Sequence, residues 1–187
     1  VAGADRMRLE NQIEIQDLLA LGDVITLTDD DLQLASVLKS PLFGMDEEQL
    51  FGLAHDRGEK SLHAALMQHA GADSQLGKMA DHFEELRKAA DQMSLFAFFS
   101  HVIDKGGRAA FRERLGASVD EALDHFLALA QSFGHAGGAS LTEFLMFVRA
   151  TGGEIKRDLD NEKIDAVRVM TIHGAKGCLL YTSDAAD

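Results

Sequence analysis

The sequence predicts a mainly α protein with one short strand near its C-terminal end. Three observations point there. A single proline stands among 187 residues, and an interior proline breaks or kinks a helix. Apolar residues make up 46% of the chain and recur three and four apart, the period of a buried helix face. Ser or Asp is repeatedly followed three residues on by Glu or Gln, the reciprocal capping pattern of a helix start.

The elements follow in order. Ile13, Ile15, Leu18, Leu19, Leu21, Val24 and Ile25 predict a buried helix over residues 12–27. Thr28 before Asp29, Asp30 and Asp31 reads as an N-cap with carboxylates in the first turn, where the helix dipole favours negative charge. The helix it opens continues through Leu32, Leu34, Ala35, Val37 and Leu38 until Pro41. Asp46-Glu47-Glu48-Gln49 resembles a capping box for a helix through Leu50, Phe51, Leu53 and Ala54. Ser61 starts a short helix to His69, Gly71 breaks it, and an amphipathic helix runs from about Asp73 to Ala90.

The most apolar stretch, Leu95-Phe96-Ala97-Phe98-Phe99, reads as the middle of a helical core. Ser118 and Glu121 form a capping box for a helix carrying Val119, Leu123, Phe126, Leu127 and Ala130, with Gly134 as its stop. Ser140 and Glu143 form another, for a helix with Phe144, Leu145, Phe147 and Val148 that ends at Gly152-Gly153. A charged connector, Glu154 to Asp165, leads to Val167, Val169 and Ile172, β-branched residues suited to a short buried strand. No internal repeat is visible.

Composition narrows the function. Thirty-one acidic against eighteen basic residues leave a net charge of −13, which argues against a free-standing nucleic-acid-binding domain with a basic face. A part of a larger DNA-tracking motor, with few and local contacts, remains compatible. The single cysteine, Cys178, excludes an internal disulfide framework and fits a reducing cytoplasm. No apolar run approaches the length of a membrane span, and no signal peptide is seen. The chain opens on Val1, which reads as a cut.

Chemical candidates are few. His63 and His69 lie on different helix faces, no His-Glu-x-x-His occurs, and no second cysteine exists, so no metal site is expected. No nucleophile elbow is present. The carboxylates of residues 1–165 sit in capping or solvated contexts, and that stretch reads as scaffold. The polar exception is the turn after the strand, where Thr171, His173 and Lys176 surround Gly174, Ala175 and Gly177. Such a turn presents polar groups at a sheet's edge, where a phosphate can meet them; an ordinary core strand with a solvated turn also satisfies the pattern. It is not a P-loop, which requires wider glycine spacing and a hydroxyl after the lysine.

Residues 167–177, VRVMTIHGAKG, resemble motif V of the UvrD/Rep-like superfamily 1 helicases, of the form V-x-x-M-T-x-H-x-x-K-G-L-E. The opening, with "EIQDLLA", its run of aspartates and "VLKSPLFG", is similar to the segment leading out of motif IV. The approach "SLTEFLMFVRATGGEIKRDLDNEKIDAVRVMTIHGAKG" resembles the AddA-type, RecB-like helicase–nucleases of double-strand-break repair. The resemblance covers about residues 1–177.

It implies a helical 2B-type insertion (41–164) between pieces of a RecA-like α/β motor domain, 2A, at 1–40 and 165–177. It also implies an ATP-dependent helicase moving on single-stranded DNA, with ATP and Mg2+ in the full-length enzyme and an AddB-type partner. Thr171 and His173 would contact DNA phosphates, and Gly174, Ala175 and Gly177 would form the turn coupling the DNA track to the nucleotide cleft. Lys176 either adds a charged phosphate contact or stays solvated. The family's Leu-Glu after the last glycine is replaced by Cys178-Leu179, and residues 178–187 read as an adapter-like, non-native tail. Walker motifs, the motif VI arginine and a nuclease motif do not occur in these residues, so the chain alone is expected to bind no ATP and to be inactive. The other class of function compatible with the sequence is a helical protein-interaction module without catalysis.

Overall fold

The computed structural model describes residues 8–55, 57–137 and 140–152. They belong to one compact unit, Arg8–Ile155; the chain's second unit, Val1–Met7 with Lys156–Asp187, lies outside the described residues. So do the strand and turn expected at 165–177 and the tail at 178–187.

Every regular element among the described residues is helical. A short 3-10 turn, Leu9–Asn11, leads into α1, Ile13–Thr26. Then come α2, Asp31–Lys39; α3, Glu47–His55; α4, Leu62–Met67; and α5, Gln75–Gln92. They are followed by α6, Leu95–Val102; a π-type turn, Ile103–Gly107; α7, Arg108–Leu115; α8, Val119–His135; and α9, Leu141–Thr151.

The helix α1 is central because it is apolar on nearly every side. Ile15, Leu18, Leu19, Ala20, Leu21 and Val24 are all buried, against α2, α8, α9 and, more lightly, α5. Gly22 lets α9 come close: a Cβ there would stand 2.8 Å from Leu145 Cδ2. A second focus is aromatic. Phe98 and Phe99 of α6, Phe126 of α8 and Phe144 of α9 are essentially inaccessible, with Phe99 5.0 Å from Phe98, 4.8 Å from Phe126 and 5.7 Å from Phe144 between ring centroids. Such tilted and edge-on pairs each add about 0.5–1.5 kcal/mol beyond the area they bury.

Most helix starts follow the sequence, and two differ. Asp46 and Gln49 form the expected reciprocal box: Gln49 N–H donates to the Asp46 carboxylate at 2.7 Å, and Asp46 N–H donates to the Gln49 side-chain carbonyl at 3.1 Å. Ser61 and Ser140 accept from the N–H groups of Ala64 and Glu143. The cap of α2, however, is Asp30, which accepts from Gln33 N–H at 3.0 Å, rather than Thr28. Asp31 reaches across instead: it accepts from Leu62 N–H at 2.6 Å and pairs with Arg57, so one carboxylate of α2 secures the start of α4. Ser118 makes no capping bond because its own backbone is helical, φ −65° and ψ −18°; a cap side chain reaches the N–H groups only from a non-helical residue. Gly134 does not stop α8, which runs on to His135, and the positive φ that turns the chain falls on Gly137 at 93°.

Candidate functional site

Thr171, His173, Gly174, Ala175, Lys176 and Gly177, the residues singled out for DNA contact and nucleotide coupling, lie outside the described residues.

The ends of the unit are brought together. Gly152 closes α9 in the left-handed region, φ 67° and ψ 9°, and a Cβ there would stand 3.2 Å from Glu10 Oε1. Glu10 belongs to the 3-10 turn through which the chain enters, and its carboxylate lies 3.5 Å from Arg8 Nη1. The first turn of the helical unit and the end of α9 thus lie side by side. Beside them is an open cleft of about 340 Å³ lined by Glu10, Asn11, Gln16, Leu19, Gln33 and Arg149, among others. The polar lining is three amides, the Glu10 carboxylate and one guanidinium, and that guanidinium is engaged bidentately by Asp23 of α1.

Three groups of charges stand out in the helical unit. On α1, Glu14 is buried and Asp17 half-buried. Burial pushes the Asp17 carboxyl up to about 6; attraction to Arg114 of α7 draws it down, and Glu14 nearby draws it up. Arg114 also donates to the Lys39 carbonyl at 2.9 Å, at the end of α2. A carboxyl near 6 titrates close to neutrality, but no bound-group geometry accompanies it.

On α5, His82 lies 3.9 Å from Glu85 and 5.2 Å from the Phe43 ring, and burial lowers its basicity. His63 Nε2 is buried without a hydrogen bond, 3.9 Å from Glu84; Glu84 is held below the usual carboxylate range by its paired bonds from Arg87. His101 Nε2 is likewise buried and without a hydrogen bond. The third group lies at the junction of α7 and α8. There Arg108 donates to Asp120 at 3.0 Å and to Asp124 at 2.6 Å, and Arg112 donates to Asp120.

Among the described residues no three His, Cys, Asp or Glu side chains converge to hold a metal ion. No described helix is long and apolar enough to cross a membrane. The pairing of carboxylates with guanidinium groups and helix N–H groups is that of a scaffold. The exceptions are Asp17, His63 and His101, and the sequence carried a signal for the first. Glu14 and Asp17 are the only acids in the first two turns of α1, among Ile13, Ile15, Leu18 and Leu19, where the hydrophobic spacing already predicts burial.

No family model matches the chain. Comparison with curated proteins does find relatives. Over 164 residues, 82% of this chain, it is 28% identical to the AddA subunit of the ATP-dependent helicase/nuclease of Lactobacillus helveticus. The chain is similar to a segment of AddA. The AddA of Oceanobacillus iheyensis is 28% identical over 88% of this chain, and that of Thermoanaerobacter sp. 26% identical over 88%. The AddA-type resemblance read from a few motifs therefore extends along most of the sequence. The chain spans 14% of the length of these AddA relatives.

Proposed function

We propose that the chain is part of an AddA-type, ATP-dependent DNA helicase of the cytoplasm that moves along single-stranded DNA in recombinational repair of double-strand breaks. The observation that carries this is the similarity to AddA helicase/nucleases over most of the chain. The full-length enzyme uses ATP and Mg2+ and works with an AddB-type partner. Residues 41–164 serve as a 2B-type insertion, with 1–40 leading into it from motor domain 2A and 165–177 returning the chain to that domain. Residues 1–40 belong to 2A by function, while α1 packs against α8 and α9 of the insertion.

In this function Thr171 supplies a hydroxyl and His173 an imidazole to backbone phosphates, and the turn at Gly174, Ala175 and Gly177 offers N–H groups. Phosphate contacts of this kind hold a strand without reading its bases. Lys176 adds charge at the same place. The test is fluorescence anisotropy with a labelled single-stranded oligonucleotide on the purified chain and its Thr171→Ala/His173→Ala variant. Weak, salt-sensitive binding that drops about thirtyfold in the variant is expected, taking each of the two lost charge-assisted contacts at roughly 1 kcal/mol. ATP hydrolysis by the chain alone should be undetectable. Equal affinity of the two proteins would sink the assignment of those residues, and no affinity in either would favour a helical interaction module.

A further inference from the structure

The segment Lys105–Arg114 holds four of the chain's eighteen cationic residues, and the helix it contains is fastened differently from its neighbours. Of the residues of α7 only Phe111 is buried. Its other fastenings are charged: Arg108 and Arg112 to Asp120 and Asp124 of α8, and Arg114 to the Lys39 carbonyl, with Asp17 of α1 nearby. Lys105, just before the helix, is paired with Glu85 of α5.

At the other side of α7 the backbone leaves helical geometry. Lys105 has ψ 24° and Gly106 φ 117°, a conformation natural only to glycine. Gly107 is also required, because a Cβ there would stand 2.6 Å from the Val102 carbonyl oxygen. After the helix, Gly116 turns the chain with φ 92°. Two glycine turns thus bracket eight residues held by one phenyl ring and a set of ion pairs. A preformed anion site would leave guanidinium groups without acidic partners, and here each of the four cations is already engaged.

We propose that α7 is a hinged strap, closed onto α8 and the end of α2 by charge, which opens at Gly106 while the rest of the helical unit stays folded. Local opening of this kind draws on elements with few buried apolar contacts, and exposed ion pairs weaken as salt shortens the screening length.

Hydrogen exchange of the whole chain, followed by mass spectrometry at fixed pH, tests it. Raising NaCl from about 0.1 M to about 1 M reduces the screening length from roughly 10 Å to roughly 3 Å. Peptides covering Arg108–Leu115 should then exchange several-fold faster while those covering α1 and α6 keep their rates. In Asp120→Asn/Asp124→Asn the α7 peptides should be fast at low salt and insensitive to added salt. Should that variant fail to fold, Arg112→Gln, which alters only an exposed group, should give a smaller acceleration confined to the same peptides. Rates over α7 that ignore salt and Arg112→Gln alike, or that rise together with those of α1 and α6, would overturn the strap.

Discussion

The aromatic junction of α6, α8 and α9 and the helix α7 both pack on α8, yet they hold by opposite means. In the first, Phe98, Phe99, Phe126 and Phe144 are removed from water and touch one another. In the second, one phenylalanine is buried and the rest is guanidinium against carboxylate. Burial is insensitive to salt at these strengths and worsens steeply when atoms are removed; exposed charge pairs are individually weak and respond to solvent. A helix of the first kind sets the global stability, and one of the second can move without disturbing it.

The largest effect is expected where the aromatic junction is opened. Phe99→Ala removes the ring that touches three others and should cost about 3–5 kcal/mol, read as a fall in the midpoint of urea unfolding. A loss below about 1 kcal/mol would mean that the junction collapses around the gap and is not the rigid member of the comparison.

The next prediction concerns a charge set on the apolar side of the unit. Asp17, with its carboxyl raised to about 6 by burial, binds a proton in the folded state more readily than in the unfolded chain. Folding therefore takes up protons between the unfolded value of 3.8 and about 6, and the Asp17 contribution to stability falls as pH rises through that window. Asp17→Asn should be more stable than the parent at pH 7 by roughly 1 kcal/mol, after allowing for solvent screening of a half-exposed group, and nearly equal to it at pH 4. Asp31, Glu84 and Asp120 have the opposite sign. Bonds from Arg57, Arg87 and Arg112 hold them below the usual carboxylate range, so their contributions are present above the unfolded value and fade as pH falls through the folded one. Unfolding midpoints of parent and variant across pH 4–8 separate the two; a constant difference would mean that the Asp17 carboxyl titrates alike in the folded and unfolded chain.

The smallest effect belongs to the surface pair between α1 and α9. Arg149→Gln breaks its contact with Asp23 and should cost less than about 1 kcal/mol. A larger loss would show that an exposed pair can fasten an element as firmly as burial does, and would undo the contrast between the aromatic junction and α7.

Much of the helical unit was legible because its signals are local. The capping residues Asp46, Ser61 and Ser140, the break at Gly71 and the left-handed end at Gly152 need only their near neighbours. The two misplaced helix starts have different causes, one distant in sequence and one local. Asp30 and Asp31 are alike in sequence, and which caps its own helix depends on Leu62 and Arg57, about thirty residues away. Ser118 sits before the right glutamate, but a turn beginning at Ala117 already places it in helical geometry. The π-type turn and α7 were not foreseen at all, since Lys105-Gly106-Gly107 shows no apolar period and the helix that follows has one buried residue.

By itself, then, the sequence determined the helical class, most helix starts, the apolar burial of α1 and the likeness to AddA helicase/nucleases. All of these rest on residues read with their immediate neighbours. Only the tertiary structure decided which acids would be partnered and which raised, that the ends of the unit at Glu10 and Gly152 would meet, and that α7 would be held by charge. Each depends on side chains distant in sequence arriving at the same few ångströms, and the energy of a charge is set by what surrounds it there.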